Sequence, residues 1–170
     1  MKNITLIGMP GSGKSTVGVL LAKALGFGFL DVDLIIQQRE GALLQDIIDT
    51  HGVDYFLDRE EEAVCSVSCD HHVIAPGGSA VLREKGGAHL KSLGPVVYLN
   101  VPLEELSKRI RNLDSRGIAM KPGQTLADVL AFRAPLYEQY ADLVIDCSGE
   151  QPLAVTAQKV LEQVLPLVQD

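Results

Sequence analysis

No stretch of this 170-residue chain approaches the roughly 20 consecutive apolar residues that a membrane-spanning helix needs, so no membrane anchor is expected. Cysteine is scarce. Cys65, Cys69 and Cys147 are too few and too irregularly spaced for a disulfide framework. Cys65 and Cys69 stand four residues apart beside His71 and His72, yet no second pair completes a tetrahedral metal site, and buried free thiols are the expectation. Basic residues are outnumbered. A net charge of −7 argues against a general binder of nucleic-acid backbones, although it leaves room for a local basic pocket. The opening MKNITLIGMPG breaks at glycine and proline and has no small-residue cleavage site, so no secretory signal is expected and the protein is placed in the cytoplasm. Internal repeats, low-complexity tracts and the Asn-Lys-x-Asp stretch that reads guanine are all missing.

What is present is ordinary globular composition, 46% apolar and 22% charged, in a length suited to one domain spanning 1–170. Short apolar runs, partly β-branched, occur at 3–8, 28–33, 72–77, 95–101 and 142–147 and read as buried strands. Helical patterns alternate with them at 14–25, 34–49, 54–68, 88–92, 102–113, 125–140 and 152–167. Pro102 and Pro152 suit first-turn positions, and Thr125 with Asp128 suggests a capping box. Five strands separated by helices predict an α/β fold with a parallel sheet covered on both faces. The aperiodic, glycine-bounded segment 112–123 has the length of a functional lid.

The strongest chemical signal is GMPGSGKST, Gly8 to Thr16, which fits the phosphate-loop pattern G-x-x-x-x-G-K-[ST] between a predicted strand and a predicted helix. Gly11, Ser12, Gly13, Lys14, Ser15 and Thr16 are the candidate nucleotide-binding residues. The glycines let backbone N–H groups surround phosphate oxygens, Lys14 neutralises the outer phosphates, and the Ser15 hydroxyl reaches Mg²⁺. GTPases, ATP-driven machines and small kinases share such a loop; the short chain without a guanine-reading stretch indicates a small kinase using ATP.

Asp31 and Asp33 follow at the predicted carboxyl end of the second strand, the edge where open parallel sheets bind ligands. Two apart on a strand, they are expected to point the same way. One carboxylate can then hold Mg²⁺ through water, while the other accepts a proton from the attacking substrate hydroxyl.

Gly8 to Ser15, the Asp31 and Asp33 pair, the Gly77-Gly78-Ser79 turn, Arg116 and the RAPLY stretch from Arg133 to Tyr137 fall in the order and rough spacing of shikimate kinases, which this chain resembles over nearly its whole length. The resemblance implies a P-loop three-layer sandwich of the nucleoside-monophosphate-kinase type, with a five-stranded parallel sheet, substrate-binding helices at about 32–62 and a mobile lid at about 112–123. It implies transfer of the ATP γ-phosphate to shikimate, a step of aromatic amino acid biosynthesis, by a monomer with a small-molecule substrate. By the same resemblance Asp31 associates with Mg²⁺ and Asp33 binds the substrate's ring hydroxyls. Gly77 and Gly78 form the substrate loop, Arg133 grips the substrate carboxylate, Arg116 reaches the transferring phosphate from the lid, and Arg109 stacks on adenine. A gluconate-kinase-like acceptor or an ATP-binding regulator without turnover are the alternatives.

Three positions depart from the family's pattern. Where that pattern is F-R-x-x-E, this chain has Phe56-Leu57-Asp58-Arg59-Glu60, so leucine replaces an arginine of the carboxylate clamp. Arg59, about 200° around a helix from Leu57, is not expected to substitute. Loss of one side of such a buried charge pair costs roughly 2 to 5 kcal/mol. Ser79 stands for the third glycine, and Gly117 for the proline after the lid arginine. The other acids near Arg59 read as a solvated helix face, with Glu60, at the family's glutamate position, as the exception.

Overall fold

The computed structural model describes residues 2–110 and 117–169. Within them five strands, β1 (Ile4–Ile7), β2 (Gly28–Asp31), β3 (His72–Ala75), β4 (Val96–Asn100) and β5 (Leu143–Asp146), form one parallel sheet in the order β2-β3-β1-β4-β5. Parallel strands need crossovers, and the chain supplies them as helices α1 (Lys14–Leu25), α2 (Val32–Glu40), α3 (Leu44–His51), α4 (Val53–Cys65), α5 (Glu84–Leu93), α6 (Leu103–Arg109) and α7 (Leu126–Tyr140); α8 (Leu153–Val168) follows the last strand. The central strand β1 is buried at every position, as a strand covered on both faces must be.

Two buried clusters hold the layers together. The larger joins β1 and β4 to α1, α7 and α8 through residues such as Leu6, Leu21, Tyr98, Val129 and Val160. The smaller joins α2, α3 and α4 to β3 and α5 through Ile36, Ile47, Phe56, Ile74 and Leu90. Because every strand is parallel, all carboxyl ends lie on one edge. The loops after β1 and β3 and the junction of β2 with α2 therefore open on the same side. No helix among the described residues is long and apolar enough to cross a membrane.

The alternation of strands and helices follows the sequence pattern, and the differences have local causes. The expected helix 34–49 is two helices, α2 and α3. Gly41 ends the first in the left-handed region at φ 65°, where its N–H bonds to Gln37 O, and the chain turns before α3 starts. Asp33 is not on a strand: β2 stops at Asp31, and Asp33 lies in the first turn of α2. The expected helix 88–92 is the longer α5. Its glycines Gly86 and Gly87 hide the apolar period because they pack closely, and a Cβ on Gly87 would lie 2.4 Å from the Tyr140 ring. Pro102 and Pro152 stand one position earlier than expected, as the residues that precede α6 and α8. The capping box at α7 is present: Asp128 N donates to Thr125 Oγ1 at 3.2 Å and Thr125 N to Asp128 Oδ2 at 2.9 Å. Of the expected lid 112–123, residues 112–116 lie outside the described residues. In the remainder Ile118 and Ala119 are buried, and Gly117 N donates to Gln45 Oε1 of α3 at 3.2 Å.

Candidate active site

The carboxyl edge of the sheet opens into a cavity of about 810 Å³, which lies between the phosphate loop and the helices that follow β2. On the loop side, Lys14 is the pivot. Its Nζ donates to Gly8 O and Met9 O, each at 2.9 Å, and to Ser12 Oγ at 3.4 Å. Burial pulls its pKa down to about 8, against the neighbouring Asp33 carboxylate, which favours the charged form. Ser12 is buried and supports Lys14 from within the loop, while Gly11, Gly13, Ser15 and Thr16 line the cavity. Arg109, the last residue of α6, also lines it, and its guanidinium donates to Gly11 O at 3.3 Å.

Asp31 and Asp33 both face the cavity, but by a different route from the one the strand pattern suggests. Asp31 caps α2: its Oδ1 accepts the Asp33 N–H at 2.9 Å, and its Oδ2 accepts the Ser15 hydroxyl at 3.4 Å. The cap turns the chain so that Asp33 enters the cavity from the helix. Burial, and then the Asp31 carboxylate, raise the Asp33 pKa to about 6, while Lys14 opposes the shift.

The side of the cavity away from the phosphate loop is built around a third carboxyl. Glu60, on α4, is 1% exposed; its Oε1 accepts the Ser79 hydroxyl at 2.6 Å. Burial raises its pKa to about 7, with the Ser79 hydrogen bond, Arg133 and Lys14 pulling it back and Asp33 pushing it further up. Gly77 is required between the two acids. A Cβ there would stand 2.6 Å from Glu60 Oε2 and 2.8 Å from Asp33 Oδ1. Those two oxygens, with Thr5 Oγ1, are the buried side-chain oxygens that lack a protein partner among the described residues.

Arg133, 2% exposed on α7, reaches the cavity wall and donates to Ala119 O at 2.6 Å. One turn further on, the Tyr137 hydroxyl donates to Gly78 O, and burial raises its pKa, so it stays protonated. The structure thus brings Lys14, Ser15, Asp31, Asp33, Gly77, Gly78, Arg109 and Arg133 around one cavity. Arg116 lies outside the described residues.

Phe56 and Glu60, four residues apart on α4, line the cavity. Leu57 is half-buried and packs into the smaller core cluster. Arg59 is held elsewhere: it pairs with Glu62 at 2.7 Å and lies 5.2 Å from the Tyr55 ring centre, so it does not replace a clamp arginine. Three wall residues had no local signal in the sequence. Gln151, Pro152 and Leu153 close the loop side at the start of α8, a place set by the parallel topology that brings every strand-to-helix connection to this edge.

The chain matches the family model described as shikimate kinase over residues 10–165. It is 39% identical to a shikimate kinase of Pseudomonas aeruginosa over 98% of both chains. Among solved structures, a shikimate kinase from Acinetobacter baumannii in complex with shikimate superposes with a TM-score of 0.91 at 34% identity, covering all of this chain and 96% of that one. A gluconokinase from Sinorhizobium meliloti, at 21% identity and a TM-score of 0.52 over 98% of this chain and 93% of its own, shares the fold alone.

Proposed function

The chain belongs to the shikimate kinase family and is an ATP-dependent phosphotransferase with an alcohol acceptor, and from that premise we propose that this chain phosphorylates shikimate to shikimate 3-phosphate. The observation that supports this most directly is the cavity, with a phosphate loop at one side and Asp33 and Arg133 at the other. The nucleotide phosphates take the place beside Lys14, and Arg109 holds the base side. Shikimate takes the place between Asp33, Gly77, Gly78 and Arg133, with its carboxylate on the Arg133 guanidinium and its ring hydroxyls toward Asp33.

Asp33 positions the attacking hydroxyl and receives its proton as the bond to phosphorus forms. A loose transition state needs little help from a strong base, so a carboxylate of pKa about 6 suffices. Lys14 lies where negative charge accumulates on the transferring group. Arg116 is proposed to add a second positive charge there.

Mg²⁺ fits the same arrangement. Ser15 Oγ and Asp31 Oδ2 are hard oxygen donors 3.4 Å apart, and among the described residues no group of three or more His, Cys, Asp or Glu could hold a metal. A cation that keeps waters and phosphate oxygens as its remaining ligands matches so sparse a donor set. When bound, it neutralises charge on the phosphates.

The test is direct: purified chain with ATP, Mg²⁺ and shikimate yields ADP and shikimate 3-phosphate at equal rates, and gluconate does not replace shikimate. ADP formation that shikimate does not stimulate overturns the reading.

A further inference from the structure

The third residue of the glycine turn carries a hydroxyl in this chain, and that hydroxyl is committed. Ser79, 4% exposed, donates to Glu60 Oε1 at 2.6 Å, which leaves Oε2 as the open atom of the carboxyl. Oε2 and Asp33 Oδ1 approach the same face of Gly77, within 2.6 and 2.8 Å of where a side chain would begin, and among the described residues neither has a protein partner. One oxygen lying between them can reach both within hydrogen-bond distance. A hydroxyl has a single proton to give, so it satisfies two carboxyl oxygens only when one of them carries a proton and donates in return.

We propose that Ser79 is a positioning residue for the acceptor: by occupying one oxygen of Glu60 it aims the other beside Asp33, where a single acceptor hydroxyl donates to Asp33 and accepts from Glu60. The proposal rests on the shikimate-phosphorylating reading and adds the determinant of hydroxyl placement. The groups around Glu60 agree with a protonated carboxyl. Lys14 of α1 and Arg133 of α7 favour its charged form and Asp33 of α2 its neutral form; Asp31 lies behind Asp33, and Tyr137 of α7 is neutral. Burial outweighs the Ser79 hydrogen bond, which favours the charged form, and the two cations, holding the pKa at about 7, and Leu57 brings no charge from Glu60's own helix.

Steady-state kinetics of the full chain with ATP, Mg²⁺ and shikimate test it through Ser79→Ala, Ser79→Thr and Glu60→Gln. Ser79→Ala is expected to raise KM for shikimate about fivefold or more, with kcat changed less than about twofold, because only placement is lost. Ser79→Thr, which keeps the hydroxyl, recovers most of that loss. In the wild type kcat/KM for shikimate falls as pH rises through about 7, where Glu60 loses its proton; Glu60→Gln, whose amide donates at every pH, loses that fall. A wild-type shikimate KM in Ser79→Ala, or an unchanged alkaline fall in Glu60→Gln, overturns the proposal. Thermal melting reports whether each variant folds, and if Ser79→Ala does not, the Glu60→Gln profile decides alone. A wild-type chain inert toward shikimate sinks the functional reading itself, whereas turnover with unaffected variants sinks only the positioning role.

Discussion

Asp31 accepts the backbone N–H of Asp33 at 2.9 Å and the Ser15 hydroxyl at 3.4 Å, so one carboxylate joins the acceptor side of the cavity to the phosphate loop. Replacing Asp33 by Asn leaves that cap in place and removes only the charge at the acceptor. The expected result is a fall in kcat of about a hundredfold or more, within the range attributed to a positioned proton acceptor. In the wild type kcat/KM for shikimate should also fall as pH drops below about 6, because the raised pKa of Asp33 puts its protonation there. Rate profiles of the two proteins check both statements, and an Asn variant with wild-type kcat would remove Asp33 from the chemistry.

Lys14→Ala should lower kcat/KM for ATP by about two to three orders of magnitude, the scale of losing one preorganised charge at a transition state. Since burial lowers the Lys14 pKa to about 8, kcat/KM for ATP in the wild type should decline above that pH as the ammonium is lost.

The fold was legible because its signals are local and periodic: a glycine-lysine loop after a buried run, five short apolar runs, and the threonine-aspartate start of α7. Asp33 was placed in the right cavity for the wrong reason. A strand that ends at Asp31 and a helix that starts at Val32 cannot be told from a longer strand by the residues Asp-Val-Asp alone, since the cap that decides between them is a side-chain hydrogen bond. Glu60 could be flagged by position but not understood, because its partner Ser79 is 19 residues away and meets it only through packing. Leu57 stands in the sequence at the place of a clamp arginine; the structure packs it into the smaller core cluster, with Phe56 and Glu60 lining the cavity.

Leu57→Arg tests what that position can still become. An arginine there lies one turn from Glu60 on α4, and a side chain extended from the half-buried Leu57 position past Phe56 into the cavity can share the substrate carboxylate with Arg133. KM for shikimate should fall several-fold, measured by initial rates. An unchanged KM would mean that Arg133 alone accounts for carboxylate binding.

Glu60 also makes stability depend on pH. Its folded pKa of about 7 lies above the ordinary 4.5, so the folded chain binds the extra proton between those values. The stabilisation from the neutral carboxyl is fully present below pH 4.5 and is lost as pH rises through about 7, an effect of the order of 3 kcal/mol. Melting temperatures of wild type and Glu60→Gln from about pH 5 to about pH 8, roughly the span of that titration, should therefore diverge, with the variant gaining relative to wild type at the alkaline end.

Gly77→Ala should raise KM for shikimate at least about tenfold, because the added Cβ stands under 3 Å from both acids and must displace one of them. An alanine variant with wild-type kinetics would show that the acids can part without cost.

The hydrogen bond from Tyr137 to Gly78 couples two parts of the chain 59 residues apart. Arg133, one turn earlier on α7, thereby shares a rigid frame with the glycine turn. The gap between the Arg133 guanidinium, proposed to grip the substrate carboxylate, and the glycine turn, proposed to face the ring, is thus a fixed length. On the proposed binding mode the pocket then acts as a ruler for its substrate, selecting by the distance from carboxylate to hydroxyl.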